Sequence, residues 1–214
     1  MIFDVHISEI CRSSFYQLRN LSKIRQYLTR ESSEIAMHAF ITSKLDYCNS
    51  LLCGCRKMQL KKLQYVQNTA AGIITRTRKF DHITPVLSDL HWLPVSYRFV
   101  FKILSLVFKS LNYLWPSYLA DRLSYQSHSR NLRSSSRQLL EQPRSFMKTY
   151  GDGAFSVCSP KLWNALPLDL RKSPSLTSFK KGLKTYLFRK FLESCFCKSI
   201  FLTHVIYDGL SIDF

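Results

Sequence analysis

Eleven basic residues in two short stretches are the side chains whose type and spacing could do chemistry. Lys57, Lys61, Lys62, Arg76, Arg78 and Lys79 crowd one stretch, and Lys180, Lys181, Lys184, Arg189 and Lys190 crowd another. Cations interleaved with Tyr, Phe and Trp suit contacts to phosphates, which need charge but no base reading. These eleven are the candidate nucleic-acid-binding residues. The whole chain agrees: 31 Lys/Arg stand against 14 Asp/Glu in 214 residues, a net charge of +17. Such an excess attracts polyanions. It is uneven, since residues 1–80 hold 13 Lys/Arg against 5 Asp/Glu, residues 141–192 hold 10 against 3, and residues 193–214 hold 1 against 3. A bland reading stands beside this one. Arg76, Arg78 and Lys79 close a helical pattern, where cations also complement the dipole.

Catalytic constellations are not visible. Two-metal chemistry needs closely set carboxylates. Here the acids are scattered; the closest pair, Glu31 and Glu34, opens a helical pattern, and Asp46 and Asp152 stand alone. Six glycines form no phosphate loop. His38, His82 and His91 lie in helical or packed contexts and read as structural. Cys48, Cys53, Cys55, Cys195 and Cys197 lack the matched knuckles of a zinc site and read as small buried thiols in a reducing compartment. No metal or cofactor is expected. Acidic Asp4 and Glu9 argue against a signal peptide. No run of 18 apolar residues predicts a membrane span. The expected location is cytoplasmic or nuclear, with no membrane partner.

Helical periodicity positions these residues. An amphipathic helix is predicted over 5–28, with Ile7, Leu18 and Leu21 in its stripe. Thr29 is the expected N-cap of a second helix reaching about Tyr47, with Ile35/Ala36, Ala39/Phe40, Ser43 and Tyr47 inward, so that the two form a helical hairpin. Residues 48–55 read as a turn. A third helix, about Lys57 to Arg76, buries Leu60, Leu63, Val66, Ala70 and Ile73/Ile74. The run from His82 to Val95, bracketed by Pro85 and Pro94, is too apolar for a solvated linker and predicts a packed joint. Val95 to Asn112 is apolar nearly all round and predicts a buried central helix, with a short helix following Trp115-Pro116. Residues 124–138 hold six serines and three arginines and read as a polar loop, followed by a weak hairpin over 139–147. Ala154–Ala165 predicts a helix broken at Ser159-Pro160, anchored by Trp163. A last helix starts after Ser173-Pro174-Ser175 and ends near Leu192, and 193–214 fits no template. The fold class is therefore mostly α, a bundle of about six to eight helices with long loops.

An ordered series of motifs carries a family resemblance. It comprises Ile10-Cys11-Arg12-Ser13 with Leu18-Arg19-Asn20, the stretch Ala39 to Leu52, Leu63 to Ala71, His82 to Leu87 with Leu90 to Val95, Ala120-Asp121-Arg122-Leu123, Tyr150-Gly151-Asp152, Pro160 to Pro167, and Phe179-Lys180. Over about residues 3–192 the chain resembles non-LTR (LINE-type, jockey-like) retrotransposon reverse transcriptases. The part resembled is the thumb and the helical region beyond the palm. On that resemblance 1–80 is a thumb-like region, 81–123 the connector and central helix, 124–150 the Ser/Arg-rich loop, 151–192 a basic helical segment and 193–214 an unassigned tail. The resemblance implies contact with RNA or DNA. It carries no catalytic residue here, because the palm aspartates of that family have no counterpart in this sequence. The expectation is a non-catalytic fragment of an RNA-directed DNA polymerase that binds RNA or DNA through phosphates. Separated from a palm, it would expose an apolar face and self-associate. The alternative is a helical protein-interaction or scaffold module whose basic faces are only solvated. Basic residues of 57–79 and 175–190 sharing one face would favour the first.

Overall fold

The computed structural model describes residues 2–52, 55–78, 81–126, 138–144, 151 and 153–207, with the backbone alone over 196–207. Lys79 and most of the Ser/Arg stretch lie outside these residues. The fold is mostly α, as expected. Among the described residues seven helices have seven residues or more, with single-turn helices between them and no strand.

The chain opens with α1 (Ile2–Ile24), continues through a 3-10 turn at Arg25–Tyr27, and reaches α2 (Arg30–Met37). Thr29 caps α2, its hydroxyl accepting from the Ser32 N–H at 3.2 Å. A widened π turn over His38–Thr42 joins α2 to α3 (Ser43–Asp46). The inward face of this stretch is the opposite of the one expected. Ser33, Met37, Ile41 and Leu45 are buried, whereas Ile35, Phe40 and Tyr47 are exposed. The wider turn keeps a strict four-residue spacing on one face, and a 3.6-residue reading chose the bulkier side chains on the other.

Next come α4 (Lys57–Thr75), α5 (Ile83–Asp89) and α6 (Val95–Leu111). The α4 stripe is as predicted, with Leu63, Val66, Ala70 and Ile74 buried. The joint is more ordered than a bracketed connector. Pro85 sits inside the first turn of α5, where its missing N–H has no helical partner to lose. Trp92, Leu93, Pro94 and Val95 are all buried. Two amides of α4 hold that backbone. Gln67 Nε2 donates to the Leu93 carbonyl at 2.8 Å, and the Val95 N–H donates to Gln64 Oε1 at 2.9 Å. Gln64 Nε2 in turn donates to Gln67 Oε1 at 3.0 Å and to Asn68 Oδ1 at 2.8 Å. Pro94, at the start of α6, has no side-chain oxygen to cap the helix, so α4 supplies the acceptor.

The remainder is α7 (Ser117–Ala120), α8 (Phe155–Asn164), α9 (Leu168–Arg171) and α10 (Leu176–Tyr207). Pro160 does not break α8. The lost hydrogen bond costs about 3 kcal/mol, and burial of Val157, Cys158, Pro160 and Trp163 on the same helix offsets it. Trp163 is the expected anchor, 1% exposed, its Nε1 donating to the Gln138 carbonyl at 3.0 Å. Leu140 pairs with Tyr125 in an isolated antiparallel bridge, and the second arm of the hairpin expected around Pro143 lies outside the described residues. Helix α10 continues past Leu192 to Tyr207. Gly182 lets it lie against α9, since a Cβ there would stand 2.7 Å from Leu170 Cδ2.

Two cores result. The first gathers α1, α2, α4 and α5 around Leu18, Met37, Ile41, Val66 and Trp92. The second gathers the later half of α6 with α8 and α10 around Ile103, Val107, Phe108, Trp163 and Phe179. Phe108 stacks on Phe179 with ring centroids 4.4 Å apart. Helix α6 serves both, and Tyr97 and Phe188 pack against each.

Arg25 locks the end of α4. Its guanidinium donates to the carbonyls of Ile73 (3.1 Å), Ile74 (2.7 Å) and Leu28 (2.8 Å), satisfying acceptors a helix terminus leaves open. Helices α4, α5 and α6 then end alike. Arg76, His91 and Tyr113 have φ of 56°, 52° and 55°. The next N–H reaches back five residues each time: Thr77 to Gly72, Trp92 to Leu87, Leu114 to Lys109. This Schellman geometry favours glycine at the left-handed residue, and none of the three is glycine. Replacing Arg76 by glycine should therefore raise stability by about 0.5–1 kcal/mol. Gln67→Leu should lower it by about 1–3 kcal/mol, because the Leu93 carbonyl stays buried without a donor. Urea midpoints at constant slope check both.

Candidate nucleic-acid interface

The candidate cations on α4 and α10 are all solvent-exposed where described. On α4, Lys57 and Lys61 share the outward face with Met58 and Tyr65, whose ring meets Phe15 of α1 at 5.7 Å. Lys62 turns toward α1. Burial pushes the Cys11 thiol above its ordinary value, and nearby Lys62 opposes that shift. Arg76 lines a cavity of about 390 Å³ with Arg25, Arg30 and Asp89. Arg78 lines a separate one of about 570 Å³ with Tyr65, Asp81 and His82. The α10 cations ring their helix instead of forming a stripe. Lys190 lies 5.1 Å from the Tyr186 ring, whose hydroxyl donates to the Ala165 carbonyl beside α8. Lys184 points the other way, into a cavity walled by α3 and α6. Helix α6 packs against both α4 and α10. The two predicted basic sets are thus not brought into one cavity.

The cavity that Lys184 enters is the best-formed concentration of charge. About 390 Å³ in volume, it is lined by His38, Asp46, Asn49, His91, Trp92, Leu93, Arg98, Phe101, Lys102 and Lys184. The π turn, α3, the 3-10 turn after it, the α5–α6 joint, α6 and α10 all contribute to it. The π turn brings His38 edge-on to Trp92, with ring centroids 5.5 Å apart. The left-handed end of α5 presents His91, which meets Phe188 edge-on at 6.5 Å. The first turns of α6 present Arg98 and Lys102. Asp46 takes both ends of the Arg98 guanidinium, with Nε to Oδ1 at 2.9 Å, and also accepts from Asn49 Nδ2 at 3.2 Å. Three cations therefore face one carboxylate, with two imidazole rings in the same wall. Among the described residues neither Lys102 nor Lys184 has a carboxylate within ion-pair distance. Asn49 is 2% exposed and its Oδ1 has no hydrogen-bond partner. The wall thus offers cations without a carboxylate partner, suited to an anionic ligand.

Among the described residues no group of three His, Cys, Asp or Glu side chains is placed to hold a metal ion, and no helix is long and apolar enough to cross a membrane. His38, His91, Asp46, Asn49, Arg98 and Lys102 were not among the predicted site residues. One pattern in the sequence would have found the α6 members. Arg98, Lys102 and Lys109 are the only charges in an otherwise apolar helix, and at 100° per residue they fall on one stripe. Comparison with family models, with curated proteins and with solved structures finds no match for this chain.

The Asp46–Arg98 bridge is half-exposed on the carboxylate side, so solvent screens it. A double-mutant cycle with Asp46→Ala and Arg98→Ala should give a coupling of about 1 kcal/mol, read from urea unfolding. His91→Gly relieves the left-handed strain but removes a ring contact, and should leave stability within about 1 kcal/mol of wild type.

Proposed function

We propose that the chain is a non-catalytic nucleic-acid-binding unit, and that it represents the thumb and post-palm part of a reverse transcriptase of the non-LTR retrotransposon kind. The observation that carries the binding is the cavity where Lys184, Lys102 and Arg98 converge with His38 and His91 around a single carboxylate. A cluster of that sign, in a concave wall with aromatic neighbours, attracts phosphates whatever the base sequence. RNA and single-stranded DNA are the partners this chemistry fits. The origin is supported by the ordered motif series and by a mostly helical fold. The sequence offers no adjacent carboxylates for polymerase metals, so the unit acts by holding a strand and not by extending it.

A second reading, a helical scaffold or protein-interaction module, draws on the dispersal of the other candidate cations over separate cavities. Salt separates the two. Fluorescence anisotropy on a labelled single-stranded oligonucleotide should show affinity falling with salt at a log–log slope of about −2 for three phosphate contacts. Lys102→Gln with Lys184→Gln should cut that slope by more than one unit and leave the urea midpoint unchanged. Binding that is absent, or indifferent to salt, would support the scaffold reading instead.

A further inference from the structure

Exposed aromatic rings stand at the end of α6 remote from the cavity. Tyr113 is 89% exposed, Tyr118 63%, Tyr125 50% and Trp115 39%. Tyr113 occupies a left-handed position that glycine would fill with less strain, and no core contact repays a bulky ring at that site. Parts of the cluster are held by their neighbours. Lys109 Nζ lies 4.3 Å from the centroid of the Trp115 ring, and Tyr125 is pinned by its bridge to Leu140. Tyr113 is close enough to Tyr125 to add to the rise in its phenol's pKa, which comes mainly from burial.

The sequence flanking these rings is basic, although Arg130, Arg133 and Arg137 lie outside the described residues. Residues 109–144 carry six Lys/Arg against Asp121 and Glu141, and the chain from Gln126 to Gln138 carries three arginines and no carboxylate. Lys109 lies on the same stripe of α6 as Arg98 and Lys102, and eleven residues of helix span about 16 Å. A row of cations therefore leads from the cavity to the rings. An apolar protein partner would have no use for that row.

We propose that the Arg98–Lys102–Lys109 stripe guides a single strand out of the cavity onto Tyr113, Trp115 and Tyr118, where its unpaired bases stack. This rests on the nucleic-acid reading above and adds a site at which unpaired bases are held. Every base has a π face, so such a platform is tolerant of sequence but requires bases that are unpaired.

The test uses the full chain and three labelled 12-residue probes: a single-stranded oligonucleotide, a duplex of the same sequence, and an abasic strand with the same phosphates. Wild type should bind the single strand about tenfold more tightly than the abasic strand. Trp115→Ala with Tyr118→Ala should erase that preference while leaving abasic binding intact, and Trp115→Phe with Tyr118→Phe should restore it. Equal affinity of wild type for the single and abasic strands would overturn the platform. So would a variant that weakens both in parallel. Binding to none of the three probes would instead overturn the nucleic-acid reading itself. Loss of self-association on size exclusion, with the strand preference unchanged, would mark the rings as a contact between copies and also overturn the proposal.

Discussion

The two glutamines of α4 that receive the Leu93–Val95 backbone are the constraint on which the arrangement depends. The joint between α5 and α6 is buried, so its backbone polar groups need partners away from water. Pro94 cannot donate, and its position leaves the first N–H of α6 open. Gln67 and Gln64 answer both needs from a neighbouring helix. In doing so they fix α6 against α4 by direction as well as by apolar contact. Because α6 is the element shared by both cores, an error in its seating would displace the second core along with the cavity wall. Hydrophobic burial alone is non-directional and would tolerate a rotated α6; two hydrogen bonds to one three-residue stretch would not.

The three left-handed helix ends show the opposite priority. At Arg76, His91 and Tyr113 the fold carries a backbone geometry that costs about 1–2 kcal/mol for a non-glycine residue. All three side chains are exposed, so core packing does not repay the cost. Each instead lines a cavity or stands in the aromatic cluster. A left-handed terminus turns its side chain sharply away from the preceding helix, which is a direct way to project a cation, an imidazole or a ring into solvent. Strain of this kind gathers where side-chain placement matters more than stability.

Much of the fold was legible because helical periodicity reports burial directly. The stripes of α1 and α4, the Thr29 cap, the Trp163 anchor and the central place of α6 follow from spacing alone. What was not legible depends on neighbours. The inward face of α2 and α3 is set by Ser33, Met37, Ile41 and Leu45, a four-residue spacing carried through the π turn at His38–Thr42, for which a 3.6-residue template has no term. Pro160 reads locally as a breaker, and only the core around Trp163 explains why the helix continues. For the candidate site, the positive charge was legible in the sequence and the cavity was not. Exposed lysines on α4 and α10 were easy to count, yet the cavity draws one of them, Lys184, and takes its other charges from α3 and α6. Arg98 and Lys102 were hidden by their company, since a helix read as apolar all round invites attention to its core and not to its few charges.

That company also explains how α6 can hold both roles. A helix serving two cores has little free surface, and its cations must share one narrow stripe. Arg98 keeps its charge near the first core because Asp46 grips it from both sides. Lys102 reaches solvent unaided, and Lys109 lays its ammonium on Trp115. Charge is thus carried along a buried helix without stranding any of it, by a carboxylate at one end, water in the middle and a ring face at the other. A long, flexible lysine can cover apolar surface with its stem while its head stays wet. The shorter reach of a neutral side chain would leave the stripe apolar, and α6 would then expose a greasy edge where it now presents a cationic track.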